Sequence, residues 1–466
     1  MHAVQSGRWR ALAALCAAQF MLIVDVTVVN VALPSIAADL SLSRSALTWV
    51  VAAYSLTFGG LLLLGGRLAD GLGRRRAFLL GLTVFTAASL LSGLAWTGGV
   101  LIAARAAQGV GAALLSPAAM SIITTTFHGP ERNRALGVWG AIGGTGAAVG
   151  VLLGGALTAG PGWAWIFFVN VPVGLAVLAV LPGLVPATPP QRGPAGVDVP
   201  GTITGTAAAA LLVYGVVRAG DAGWTSPLVL LTLATAAGCA TAFVLLARTV
   251  REPLVPPALL TSRPVLAGSL VMLAASGLLL AGFFLSSWYA QHRLGLSPLR
   301  NGLVFLPAAV GTILGAHGAA HALGRLGPRP TAVIGFAVAG AGAALLARLP
   351  ADGSVLMDLL PGFVLLSVGL GAGFVCATTT AMRGVEHHRA GLVSGIVSTG
   401  HELGGALGVA LASALAASSL TGTGGMSGFR TAFTACAVAA FAMAALALWL
   451  VPPGRPEAAD GPVFAH

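Results

Sequence analysis

The chain contains no lysine; all 24 of its basic residues are arginine. That absence excludes a P-loop ATPase, because a Walker A loop needs its lysine to reach the β- and γ-phosphates. Any uphill movement of solute must then draw on an ion gradient or on a separate ATPase. Charge of either sign is scarce, at 8% of residues with only 13 acids, while 57% of residues are hydrophobic. A water-soluble protein carries about a quarter charged residues. So few charges cannot cover a water-facing surface, and the remaining solvent is lipid. The four cysteines, Cys16, Cys239, Cys376 and Cys436, fall inside apolar runs at no metal-ligand spacing, which reads as small apolar filling and implies no metal.

What is there instead is a series of apolar runs. A helix needs about 20 residues to cross the hydrocarbon core, and by that measure the chain is all-α and polytopic, with fourteen expected spans. They fall near 11–33, 47–68, 77–96, 99–123, 134–158, 163–184, 199–217, 227–247, 264–289, 300–323, 330–349, 355–380, 390–419 and 429–451. Arg8 and Arg10 before an apolar run resemble the start of a signal peptide, but the run continues to Pro34, too long for an h-region, and reads as an uncleaved first helix. The net charge of +11 is spread singly or in small groups between spans, which sets topology rather than forming a nucleic-acid footprint. With both termini inside, only Arg44, Arg218, Arg293, Arg300, Arg348 and Arg430 of the loop arginines lie outside. The Pro/Gly-rich stretch PATPPQRGPAGVDVP, 186–200, reads as a linker. The expected organisation is a six-helix bundle over 1–185, a linker with two inserted helices over 186–262, and a second six-helix bundle with a short tail over 263–466. A faint internal repeat supports two halves: aligning Gly73 in GRLADGLGRRR with Gly327 in AHALGRLGPRP places Gly324 opposite Asp70.

Against this apolar background the buried acids stand out. The run MLIVDVTVVNVALP carries Asp25 in its middle, and SGIVSTGHELGGALG carries Glu402. A charge at the bilayer centre costs about 2.5–3.5 kcal/mol even on lenient scales, so intramembrane acids tend to mark a pathway. His401-Glu402 is no zinc-protease motif, since no second histidine follows at the right spacing. His317 and His321, one turn apart, read equally as bundle histidines or a proton path, and His387 and His388 as solvated loop residues.

The motifs together resemble the major facilitator superfamily, and within it the fourteen-span drug:proton antiporters. GGRLADGLGRRR is similar to the superfamily's loop signature between spans two and three, matching at Gly66, Asp70, Gly73, Arg74 and Arg75, and implies a cytoplasmic gate of ion pairs that make and break. LIAARAAQGVGAALLSPAAM resembles the fourth-span motif, which implies that Arg105 faces the central cavity and serves proton coupling, with Gln108 extending the polar surface. GTGAAVGVLLGGAL resembles the antiporter glycine motif of the fifth span at Gly146, Gly150, Gly154 and Gly155; Val151 stands where that motif has proline and removes the expected kink. VDVTVVNVALP matches the first-span signature at Asp25, Thr27, Asn30 and Pro34, and WAWIFFVNVPVG the start of the sixth span, with Ala164 in place of an arginine.

An interior carboxyl can hold a proton in one state and release it in another, and a cationic substrate competes for its ionised form. The expectation is therefore a proton-driven exporter of lipophilic, cationic drugs or an antibiotic. It would be a monomer of the bacterial plasma membrane, work by alternating access, and need no cofactor beyond the proton gradient. Asp25, Arg105, Gln108, Asn30 and Glu402 are the coupling and cavity candidates. A proton-coupled metabolite importer is the alternative within the superfamily. A membrane enzyme on lipid-linked substrates is the alternative outside it, disfavoured by short loops without a nucleophile–base pair.

Overall fold

The computed structural model of the protein describes residues 2–127, 129–187, 198–251, 253–385, 389–420 and 425–454. Among these residues there is no strand. A backbone in lipid must satisfy its own N–H and C=O groups, and the helix does so within one segment. The first group comprises α1 (His2–Asp39), α2 (Arg44–Leu72), α3 (Arg74–Gly93), α4 (Gly98–Thr126), α5 (Gly129–Ala159), a short α6 (Trp165–Phe168) and α7 (Asn170–Leu184). A hairpin follows, α8 (Val199–Ala222) and α9 (Pro227–Thr249), then the single turn α10 (Pro257–Leu260). The last group comprises α11 (Arg263–His292), α12 (Pro298–Leu326), α13 (Pro328–Leu346), α14 (Leu360–Ala381) after a π-helical turn at Val355–Leu359, α15 (Ala390–Leu415), the short α16 (Ala417–Leu420) and α17 (Ser427–Leu450). Hydroxyls start several of them: Ser43 accepts from Ala46 N, Thr97 from Val100 N and Ser297 from Arg300 N.

Twelve helices among the described residues are long and apolar enough to cross a membrane. The other two expected spans are helical as well but lie outside that set. α5 is one helix over Gly129–Ala159 that includes the apolar stretch Ala148–Ala159. In α15 it is interrupted by His401 and Glu402 among glycines.

Helix packing repeats between the two groups. In the first, α4 lies against α2 and α3, α5 against α1, and α7 against α1 and α3. In the second, α14 lies against α12 and α13, α15 against α11, and α17 against α11 and α13. The seams between groups obey the same exchange: α2 meets α15 and α5 meets α12. Gly73 and Gly327, paired by sequence alone, occupy equivalent turns at φ 88° and 82°. Each ends one helix and begins the next, where a side chain would be strained. The hairpin breaks the symmetry, because α8 lies on the α2/α15 seam and has no counterpart on the other.

Glycine lets these helices meet backbone to backbone. On α5, added methyls at Gly146, Gly150 and Gly154 would strike Ile23, Thr27 and Val28 of α1, and one at Gly155 would strike Pro298 and Leu299 of α12. Val151 leaves α5 unbroken, and its carbonyl is approached by Gly302 of α12. The antiporter-type glycine face therefore survives without its proline. Overpacking costs about 1–3 kcal/mol, so Gly150→Val, whose Cβ would lie 1.9 Å from Thr27 Oγ1, is expected to destabilise the protein by that amount. Gly238→Val on α9, with nothing within 4 Å, should leave the thermal midpoint in detergent unchanged.

Candidate functional site

Four helices of the first group bring polar side chains to one point. Asp25 comes from α1, Ser89 and Ser92 from α3, Arg105 and Gln108 from α4, and Asn170 from the first turn of α7. All are buried, Asp25 and Arg105 at 1% exposure. Arg105 Nη1 donates to Asp25 Oδ2 in a buried ion pair. The other carboxylate oxygen, Oδ1, accepts from Gln108 Nε2 at 3.0 Å and from Asn170 Nδ2 at 2.9 Å. Gln108 is itself oriented: Nε2 also donates to Ser89 Oγ at 2.8 Å, and Oε1 accepts from Arg105 Nη1 at 3.0 Å and Ser92 Oγ at 3.2 Å. Arg105 Nε donates to the Val50 carbonyl at 3.2 Å, and its guanidinium lies 4.4 Å from the centre of the Tyr54 ring, a cation–π contact.

The helix geometry explains the convergence. Arg105 and Gln108 are three apart on α4 and share a face. Gly109 and Gly111 on the same helix approach the backbones of α2 and α3, at Tyr54 and at Gly81 and Phe85. That closeness lets one guanidinium touch α1, α2 and its own helix together.

The structure thus unites three of the five cavity candidates and separates two. Asn30 lies one turn and a half along α1, where its amide donates to Val26 O within its own helix and its backbone carbonyl accepts from Ser287 of α11. It belongs to the seal between the two groups, not to the Asp25 cluster, because the helix turns its side chain away. Glu402, with 11% of its side chain exposed, lies on α15 where Gly59 of α2 comes against its Cβ, and it contacts His401 at 3.2 Å. Tyr54 is a fully buried side chain of α2, with the Arg105 guanidinium over its ring, on the same helix as the Gly59 that meets Glu402. Asn170 and Ser89 were not candidates from sequence: Asn170 is the asparagine of the Trp163–Gly174 motif, but a single amide there does not announce its partner.

In the expected gate, Gly73 makes the turn, a methyl added at Gly66 would meet only Pro117 of α4 at 3.8 Å, and Arg75 donates to Val185 O at the end of α7 at 3.0 Å. Arg74 also has partners within the structure. The side chain of Asp70 lies outside the described residues, as do His387 and His388. His317 and His321 are exposed on α12, with ring centroids 4.7 Å apart.

The seal between the groups is at the end where α2 begins. Ser287 donates to Asn30 O and Gln291 to Val31 O, while Arg44 and Thr48 donate to Ser413 Oγ. Asn301 donates to Ser287 Oγ at 3.0 Å and stiffens the contact from α12.

Paired helical bundles with exchanged seams and a buried charged cluster are the architecture of a polytopic membrane transporter. Residues 15–409 match the Major Facilitator Superfamily family, and the chain belongs to that superfamily. It is 40% identical to the puromycin resistance protein pur8 of Streptomyces alboniger, over 97% of this chain and 93% of that one. It is 39% identical to the lincomycin resistance protein of Streptomyces lincolnensis, over 85% and 82%, and 38% identical to the cephamycin export protein CmcT of Amycolatopsis lactamdurans, over 94% and 91%. The fold is similar to that of an auto-inhibited POT family peptide transporter (TM-score 0.69, 17% identity, covering 98% of this chain and 99% of that one). It is also similar to a bacterial homologue of the lysosomal transporter Spinster (TM-score 0.63, 19% identity, covering 96% and 98%).

Removing one partner of a buried ion pair costs about 3–5 kcal/mol, because the other charge stays buried alone. Arg105→Gln is therefore expected to lower stability by that much. Adding Asp25→Asn should restore more than half of the loss. A double-mutant cycle by thermal unfolding in detergent measures the coupling, and additive losses would contradict the pair.

Proposed function

We propose that this protein exports a lipophilic, cationic antibiotic or drug across the bacterial plasma membrane in exchange for protons, by alternating access. The observation that carries the reading is the Asp25–Arg105 pair, buried in one bundle, with the Glu402 carboxylate on α15 against the neighbouring α2 at Gly59. With both partners ionised the cluster is neutral, and the Glu402 carboxylate can attract a cation. A proton on Asp25 leaves Arg105 with uncompensated positive charge, which repels the same cation. Proton and substrate thus exclude one another, the condition for antiport. Relatives named for puromycin and lincomycin resistance and for cephamycin export support an antibiotic or drug as cargo.

In this reading the two bundles are 1–185 and 263–466, joined through the 186–262 segment, and the hairpin α8–α9 with α5 and α15 completes fourteen spans. Both termini are cytoplasmic, which puts the Arg44 end outside and the Gly73 turn inside. The contacts of Asn30, Val31 and Ser413 then favour a conformation closed to the outside. Asp70, Arg74 and Arg75 would serve as the inner gate, forming ion pairs when that side closes. A single chain holds the whole cluster, so a monomer suffices.

Everted vesicles test it. After respiration has acidified the lumen, added ethidium is expected to release protons in the native protein and not in Asp25→Asn at equal expression. Release that persists in the variant would remove Asp25 from coupling. Absence of release across a panel of lipophilic cations, with release when a metabolite is loaded into the lumen, would replace export with import.

A further inference from the structure

The hairpin α8–α9 has no place in the two-bundle repeat, yet α8 lies against both sides of one seam. Its bonds to the two sides differ in kind. Toward α2 they are polar and run the length of the helix. Thr206 Oγ1 donates to Gly60 O at 3.2 Å. Near the outer end, Arg44 donates to Val217 O at 3.1 Å and pairs with the Asp221 carboxylate. At the inner end, Arg67 of α2 donates to Pro253 O, beside Leu254, whose amide is held by the helix-capping carboxylate of Asp198. Toward α15 the contact is apolar only, in a buried cluster that α2 shares: Val213, Val216 and Val217 lie with Ala406 and Ala410 of α15 and with Ala52 and Leu56 of α2, and Gly220 lies against Ala414.

One group joins all three helices. The Arg44 side chain is 6% exposed, and besides its two partners on α8 it donates from Nη1 to Ser413 Oγ of α15 at 3.0 Å. Ser413 also accepts from Thr48 Oγ1 at 2.7 Å. The links of Arg44 to α8 include a full counter-charge, whereas its link to α15 is a neutral hydroxyl. A charge-assisted pair is the stronger of the two, so the seam parts at Ser413.

We propose that α8–α9 is a fixed part of the first bundle that closes one seam from the outside, and that Arg44 is the positioning residue of the outer gate, released from Ser413 when the transporter opens outward. This rests on the alternating-access reading above, so the test reads opening directly and needs no substrate. Hydrogen–deuterium exchange is followed in the purified full chain for the native protein, Ser413→Ala and Arg44→Gln. Loss of a hydrogen bond to a charged group changes an opening equilibrium by about tenfold or more. Ser413→Ala should therefore speed exchange about tenfold in the outer turns of α2 and α15 and leave residues 206–217 of α8 protected. Arg44→Gln should speed all three.

A disulfide between Gly60→Cys and Thr206→Cys, where an added Cβ on residue 60 lies 3.6 Å from that of Thr206, suits bridging. It should leave the Ser413→Ala effect intact, because α8 travels with α2. Unchanged exchange in Ser413→Ala would overturn the gate. Exchange of α8 in step with α15, or suppression of the effect by the disulfide, would overturn the assignment of the hairpin to the first bundle. Should Arg44→Gln fail to fold, Gly220→Leu replaces it, since its Cβ would lie 2.6 Å from Arg44 Nη2 and 2.7 Å from Ala414 Cα, displacing the guanidinium and forcing α8 off α15. Its outer turns should also exchange faster, and unchanged exchange there counts against the gate. Transport can fail for other reasons without touching these outcomes.

Discussion

A charge held in hydrocarbon needs an opposite charge close by, and the first bundle is arranged around meeting that need for Asp25. The carboxylate is on α1 and its guanidinium partner on α4, with amides from α4 and α7 filling the other oxygen. For these to touch, α4 must come within backbone distance of α2 and α3, which Gly109 and Gly111 permit by presenting no side chain. Ser89 and Ser92 then fix the Gln108 amide so that its donor faces the carboxylate. A half-satisfied polar network in a low dielectric is worse than an apolar core. Here both oxygens of the Asp25 carboxylate have donors, which is what makes an ionised pair tolerable there.

The repeat between halves makes the placement of charge more informative. Helix packing, the Gly73 and Gly327 turns, and the exchanged seams are common to both. The chemistry is not: Gly324 stands where the first half has Asp70, and Glu402 comes from α15, opposite α2 at Gly59. One half holds a balanced ion pair and the other a carboxylate that meets His401 at 3.2 Å. A symmetric frame can rock between two states, and an asymmetric charge pattern lets ligands choose between them, since a ligand shifts an equilibrium only by its differential affinity for the states.

The spans were legible because a transmembrane helix is dictated by composition over a long window, and lipid leaves the backbone no alternative. Their ends were less so. α1 extends from His2 to Asp39 beyond the expected 11–33, and α8 runs to Ala222, since a helix does not stop where the hydrocarbon does. α15 stops at Leu415 and a new turn begins at Ala417, where a single span to 419 was expected. Of the site, Asp25, Arg105 and Gln108 were legible as polar residues in apolar runs. Their mutual bonding was not, because it depends on the rotation of α1 against α4, which no local periodicity reports in helices apolar on most faces. The same ambiguity put Asn30 with the site when its carbonyl serves the seal, and concealed Asn170, whose amide looks like any other at a helix start.

The distribution of bond strengths also bears on how such a molecule moves. Among the described residues the close ion pairs lie off the seams: Asp25 with Arg105 inside the first bundle, and Arg44 with Asp221 between that bundle and its hairpin. The seams are held by weaker bonds: Ser287 and Gln291 on backbone carbonyls, Arg44 and Thr48 on one serine hydroxyl, and glycines against backbone at Gly155 and Gly302. Neutral hydrogen bonds are worth about 0.5–1.5 kcal/mol net and one from a guanidinium about 1.5–3 kcal/mol, so a seam closed by a handful of them can reopen on the binding energy of a proton or a drug. Had the ion pairs crossed the seams, one state would have been fixed. Placing charge inside the bundles and hydroxyls between them gives the protein rigid halves and a boundary weak enough to exchange.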